Sequence, residues 1–108
     1  IISQVLFGVL GFAQGLNARE VVSLPRYHHQ HLPDRVDFGP AALSPSEQAA
    51  LKKLGHTLRE VPGGWGLMHA VWWDRAADRL EAAADPRGVG TGTVKVTRVE
   101  PVPAQVGK

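Results

Sequence analysis

No charged residue precedes Arg19, and the stretch before it is built from large aliphatic side chains and regularly spaced glycines. At 100° per residue, Ile1, Ile2, Val5, Leu6, Val9, Leu10, Phe12, Ala13 and Leu16 fill an apolar arc of roughly half a helix circumference. Gly8, Gly11 and Gly15 gather within roughly 60° of one another on the other side. Each glycine costs a helix about 1 kcal/mol relative to alanine, and in return lets a second backbone come close. Such a helix expects neighbours on more than one side. A chain of 108 residues has room for one small domain and a modest core, so this demand dominates what it can fold into. The stretch lacks the basic start of a secretory signal, and Ser3, Gln4 and Gln14 interrupt it, so a buried helix is expected rather than a leader or a membrane span.

Asn17 and Glu20 have the spacing of a capping box for a short second helix through Val21 and Val22, stopped by Pro25. From Arg26 to Phe38 the signals are those of extended chain, with Tyr27, Leu32, Val36 and Phe38 around a Pro33-Asp34 turn. Ser44, Pro45 and Glu47 supply an N-cap, a first-turn proline and an N3 carboxylate, predicting a helix to Leu54 that ends at Gly55. Ala50, Leu51 and Leu54 would be its buried side. His56 to Val61 reads as a strand and Pro62-Gly63-Gly64 as a turn. Leu67 to Trp73 is apolar on both alternating faces, which predicts a central strand covered on both sides. A turn over Asp74 to Asp78, a strand over Leu80 to Ala84 and a turn at Asp85-Pro86-Arg87-Gly88 follow. Thr93 to Lys108 reads as a short alternating stretch, Val94 and Val96, and a loose tail.

Twelve Lys and Arg against ten Asp and Glu leave a charge of +2, too thin a basic excess for a dedicated nucleic-acid binder. The absence of cysteine removes disulfides, thiol nucleophiles and zinc thiolates. His28-His29-Gln30-His31 is the most conspicuous polar group. On a strand, His29 and His31 would share a face at a spacing that can chelate a metal, but only His56, His69 and scattered carboxylates could complete the shell, so a packed, hydrogen-bonded cluster is expected. Gly88-Val89-Gly90-Thr91-Gly92 has neither the strand–helix setting of a dinucleotide loop nor a Gly-Lys-Ser/Thr, and reads as a turn-forming run. Trp65, Trp72 and Trp73 are expected in the core.

The segment Pro25-Arg26-Tyr27-His28-His29-Gln30-His31-Leu32-Pro33-Asp34 resembles the Pro-Arg-aromatic-His-His-Gln-x-x-Pro-Asp segment of gamma-glutamyltranspeptidases. Asn17-Ala18-Arg19-Glu20 precedes it as in that family. Leu43-Ser44, Leu54-Gly55-His56, Gly66-Leu67 and Ala84-Asp85-Pro86-Arg87 follow in the family's order, so the likeness covers residues 1–92 and leaves 93–108 outside it. The resemblance implies an α+β chain forming the C-terminal piece of an N-terminal-nucleophile hydrolase αββα sandwich. It implies an intact parent in which an N-terminal threonine attacks γ-glutamyl amides such as glutathione and passes the acyl group to water or an amino acceptor. The family's nucleophile, its carboxylate-binding residues and its oxyanion glycines all match positions upstream of Ile1. Thr57, Thr91, Thr93 and Thr97 do not match the nucleophile.

The expectation is therefore of no catalytic, substrate-binding or metal residue in this chain, no cofactor, no nucleic-acid partner and no membrane span. The implied partners are the remainder of the small subunit and the large subunit. The isolated chain is expected to be inactive and to favour self-association through α-helical apolar surface. The sequence itself gives no compartment; an intact parent that follows bacterial relatives would be periplasmic or secreted. A non-catalytic binding module or remnant, and a piece of a related β-lactam side-chain acylase, are the competing readings.

Overall fold

The computed structural model describes residues 1–63 and 65–93. Helix α1 runs over Ile2–Ala13, shorter than the expected reach to Leu16. Gly15 ends it: at φ +87° its N–H donates to the Phe12 carbonyl, and the Leu16 N–H donates to the Gly11 carbonyl, both at 3.0 Å. These two bonds satisfy last-turn carbonyls that would otherwise be orphaned, and they need a residue that adopts left-handed backbone cheaply. Helix α2, Ala18–Ser23, opens on the expected capping box. Asn17 Oδ1 accepts the Glu20 N–H at 2.9 Å, and Glu20 Oε2 accepts the Asn17 N–H at 2.8 Å.

Strands β1 (Tyr27–His28) and β2 (Val36–Phe38) pair antiparallel, with Tyr27 opposite Phe38. Helix α3, Pro45–Lys53, carries the second capping box, between Ser44 and Glu47, and closes on Gly55 as α1 closes on Gly15. It forms the crossover that lets β3 (Leu58–Glu60) pair parallel to β2, Val36 opposite Leu58. On this small sheet Asp37 accepts from Arg59 Nε and Nη2, each at 2.8 Å, and from Arg35 Nε at 3.0 Å. Strands β4 (His69–Asp74) and β5 (Arg79–Ala84) form a separate antiparallel hairpin, from His69 opposite Ala84 to Asp74 opposite Arg79.

The core lies where α2 meets this hairpin. Ala18, Val21, Val22 and Ala70 are buried there, with Phe12, Leu16, Met68 and Ala83 packed around them. Helix α1 rests on α2 through Gly11, where a Cβ would stand 3.0 Å from Val21 Cγ2 and 3.2 Å from Leu24 Cδ1. One face of α1 is held in this way, and Phe12 stacks on Trp72 with ring centroids 4.9 Å apart.

Several expectations about burial fail among the described residues. Among the described residues Leu67–Trp73 is not a central strand, since β4 pairs there with β5 alone in a two-stranded sheet. Val71 is 69% exposed, and Trp72 and Trp73 are 39% and 51% exposed rather than core. Trp73 is partly covered by the Arg75 guanidinium, 4.8 Å from the ring centroid. Trp65 is half-buried. No residue of α3 is buried, so Ala50 and Leu51 are not a core face, and Leu54 beyond its end is exposed. The outer side of α1, with Ile2, Val5, Leu6, Val9 and Leu10, is exposed, which is the bare apolar surface expected of the isolated chain. Val94, Val96, Thr97 and the tail to Lys108 lie outside the described residues.

Candidate functional site

Asp85 is the most enclosed ionised group, 1% exposed, at the end of β5. A carboxylate is stable in such a place only if its lone pairs are filled by donors. Its Oδ2 accepts from the Arg26 guanidinium and from the Met68 N–H at 2.9 Å. Its Oδ1 accepts from the Arg87 N–H at 2.9 Å and from Arg87 Nη1 at 3.1 Å. Further guanidinium donors reach backbone carbonyls. Arg26 Nη1 donates to Trp65 and Gly66 at 3.0 and 2.9 Å, and Arg26 Nη2 to Val22 at 3.3 Å. Arg87 donates to Val22 at 3.2 Å and to Leu24 at 3.0 Å. The two arginines thus complete the carboxylate and the last carbonyls of α2 together, where cations are also favoured by the helix dipole.

Burial raises the pKa of Asp85, but the Arg87 N–H, the Arg26 guanidinium, the Met68 N–H and the Arg87 side chain outweigh it and hold the carboxyl at about 2. The folded value lies below the ordinary aspartate value, so this contribution is present above about pH 4 and disappears as pH falls through about 2. Stability is expected to drop by about 2 kcal/mol across that interval through this group. Urea midpoints measured from pH 5 to 2 check it, and Asp85→Asn should flatten the profile. With its lone pairs so engaged, Asp85 organises backbone and is not available as a base or a metal ligand.

The histidine segment is hydrogen-bonded, as expected, but not in the expected geometry. The strand ends at His28, and His31 has φ +72°, so His29 and His31 do not share a strand face. His29 Nε2 lies 3.0 Å from Asp34 Oδ1, while His29 Nδ1 accepts the His31 N–H at 3.0 Å. His56 meets His29 edge-on, with ring centroids 6.2 Å apart. His28 Nδ1 is 2.6 Å from Ser3 Oγ, a contact from β1 to the first turn of α1. Ser3 carried no motif that singled it out in the sequence. Among the described residues, no group of three or more His, Cys, Asp or Glu is placed to hold a metal. A groove of about 660 Å³ opens beside the segment, between Leu6 and Phe7 of α1 and Ala50 and Leu51 of α3.

The glycine-rich run has a steric explanation. A Cβ at Gly92 would lie 2.6 Å from the Ala82 carbonyl carbon and oxygen, and one at Gly90 3.0 Å from His69 Cε1, so the run is pressed against the hairpin. Thr57, Thr91 and Thr93 are exposed. No helix among the described residues is long and apolar enough to cross a membrane.

Comparison with known proteins matches residues 1–94 to the family described as Gamma-glutamyltranspeptidase. The glutathione hydrolase proenzyme of Pseudomonas aeruginosa is 37% identical over 95 residues, 86% of this chain and 16% of the proenzyme. Among solved structures, gamma-glutamyltranspeptidase from Pseudomonas nitroreducens complexed with L-DON aligns at TM-score 0.73 and 29% identity, covering 89% of this chain and 50% of that one. An acivicin-inhibited gamma-glutamyltranspeptidase, whose C-terminus is ascribed critical roles in autoprocessing and catalysis, aligns at TM-score 0.71 and 27% identity over 81% of this chain and 47% of that one. The chain therefore spans about half the length of these solved chains and a much smaller share of the proenzyme.

Proposed function

The chain belongs to the gamma-glutamyltranspeptidase family, and we propose that it serves an intact enzyme of that family as scaffold, contributing no group that touches the γ-glutamyl substrate. Its α+β elements are those of the C-terminal piece of an N-terminal-nucleophile hydrolase sandwich. The proposed activity of the intact enzyme is cleavage of γ-glutamyl amides through a threonine acyl-enzyme, with transfer to water or an amino acceptor. The proposed division puts the family part at residues 1–92 and an extension at 93–108, beside a family match that runs over residues 1–94.

The observation that carries this reading is the contrast between polar and apolar surfaces. Among the described residues every buried side-chain nitrogen and oxygen has a hydrogen-bond partner, and the most enclosed of them, around Asp85, tie α2 to the hairpin. The apolar faces of α1 and the hairpin, by contrast, are left exposed. A polypeptide that spends its polar groups on internal order and leaves hydrocarbon bare is shaped to be covered by further protein. The proposed cover is the remainder of the small subunit, with the large subunit beyond it. The same bare surface favours self-association of the isolated chain. A free-standing binding module and a β-lactam side-chain acylase piece are not favoured, given the family match and the named relatives.

The isolated chain is expected to release no anilide from a chromogenic γ-glutamyl anilide. Turnover that co-purifies with the chain through several columns and survives immunodepletion of any full-length transpeptidase would overturn the reading.

A further inference from the structure

The Ser3–His28 contact belongs to a chain of hydrogen bonds whose direction can be assigned. Gln30 Nε2 donates to the Leu32 carbonyl at 3.0 Å, which fixes the amide and leaves Gln30 Oε1 facing His28 Nε2 at 3.3 Å. An acceptor at that position places the imidazole proton on Nε2. The lone pair is then on Nδ1, 2.6 Å from Ser3 Oγ, where it accepts the hydroxyl proton. Hydroxyl, imidazole and an oxygen that orients the imidazole stand in the order of an activated nucleophile, its base and the group that fixes the base.

Ser3 and His28 are half-buried and both line the groove of about 660 Å³, beside Leu6, Phe7, Leu43 and Leu51. We propose that Ser3 is an acyl-accepting hydroxyl for esters with an uncharged, apolar acyl chain. Ser3 Oγ attacks the ester carbonyl carbon while its proton passes to His28 Nδ1. The bond from the carbonyl carbon to the alkoxide oxygen breaks, the alkoxide takes the proton from Nδ1 and leaves as the alcohol, and the acyl group remains on Ser3 as an ester. Leu6, Phe7, Leu43 and Leu51 offer hydrocarbon to such an acyl chain, and Glu47, His29 and His56 form the polar part of the lining. This site and substrate class go beyond the scaffold role, and the test does not use a γ-glutamyl compound.

The full chain is incubated with an alkyl fluorophosphonate and, separately, with p-nitrophenyl hexanoate, and adducts are located by peptide mass mapping. One adduct per chain on Ser3 is expected from each reagent, absent in Ser3→Ala and unchanged in Ser46→Ala. His28→Ala should slow labelling of Ser3 by about 100-fold or more, the usual contribution of a positioned base. Gln30→Ala, which leaves the Ser3–His28 pair in place, guards against a folding defect in the histidine variant and should slow it several-fold. The absence of a Ser3 adduct, or labelling of Ser3 at an unchanged rate in His28→Ala, overturns the proposal.

Discussion

Asp85→Ala is expected to remove most of the chain's stability at neutral pH. The substitution leaves Arg26, 4% exposed, with its guanidinium among the carbonyls of Val22, Trp65 and Gly66 and without its counter-charge. It also strips the acceptor from the N–H groups of Met68 and Arg87. Breaking one side of a buried ion pair costs about 3–5 kcal/mol, because the surviving charge stays buried and unpaired. Whole domains are stable by only about 5–15 kcal/mol, and a chain with this much bare apolar surface sits near the lower end. Asp85→Asn keeps the shape and one acceptor and should fall between. Asp37→Ala removes a carboxylate that faces Arg35 and Arg59 at the surface, and should cost no more than about 1 kcal/mol. Urea unfolding followed by far-ultraviolet circular dichroism ranks the three. An Asp85→Ala midpoint equal to that of Asp37→Ala would refute the central place given to this carboxylate.

Gly11→Leu is expected to lift α1 off α2. A single Cβ at this position already meets Val21 and Leu24 at 3.0 and 3.2 Å, and leucine adds three more heavy atoms in the same gap. Overpacking of this kind costs about 1–3 kcal/mol. The loss should be largely local, because the buried core residues Ala18, Val21, Val22 and Ala70 all belong to α2 and the hairpin and only Phe12 of α1 packs against them. Near-ultraviolet dichroism from Trp72 should weaken, and amide exchange should quicken over residues 2–13 while α2 stays protected. Gly8→Ala is the control. Its Cβ would lie at ordinary contact distance, 3.8 Å from Val21 and 3.9 Å from Met68 Sδ, and the gain in helix propensity is about 1 kcal/mol. Unchanged exchange in Gly11→Leu would show that the close approach does not hold the helix.

Local chemistry was legible in the sequence, and facing surfaces were not. Asn17 with Glu20 and Ser44 with Glu47 fix helix starts through groups three residues apart, and Gly55 ends a helix through bonds within one turn. Such signals need no distant partner. Leu67–Trp73 and the Ala50, Leu51, Leu54 pattern report only that a side chain is apolar. Whether it is buried depends on what stands opposite, and Val71, Trp73 and Leu54 stay largely exposed, Trp73 with only the Arg75 guanidinium over its ring among the described residues. The Gly15 stop was misread as part of a packing stripe because a glycine on a helix face and one just past its end share the same spacing. Arg26 and Asp85 each fell within a recognised family motif, but 59 residues separate them and no local rule joins them. A single acid following three alanines at the end of a strand was the available hint. The family likeness was carried by motif order, which does not depend on burial.

The Asp85 cluster also has a consequence in time. A ribosome delivers the α2–β1 corner, with Arg26, long before it delivers Asp85 and Arg87, at about 5–20 residues per second. Until then the caps of α2 can form, but the guanidinium has no carboxylate to meet and the carbonyls of Val22 and Leu24 have lost their Arg87 donors. The Arg26–Asp85 contact therefore cannot form until one of the last family positions has emerged, and nascent chains that stop short of it leave that corner unlatched.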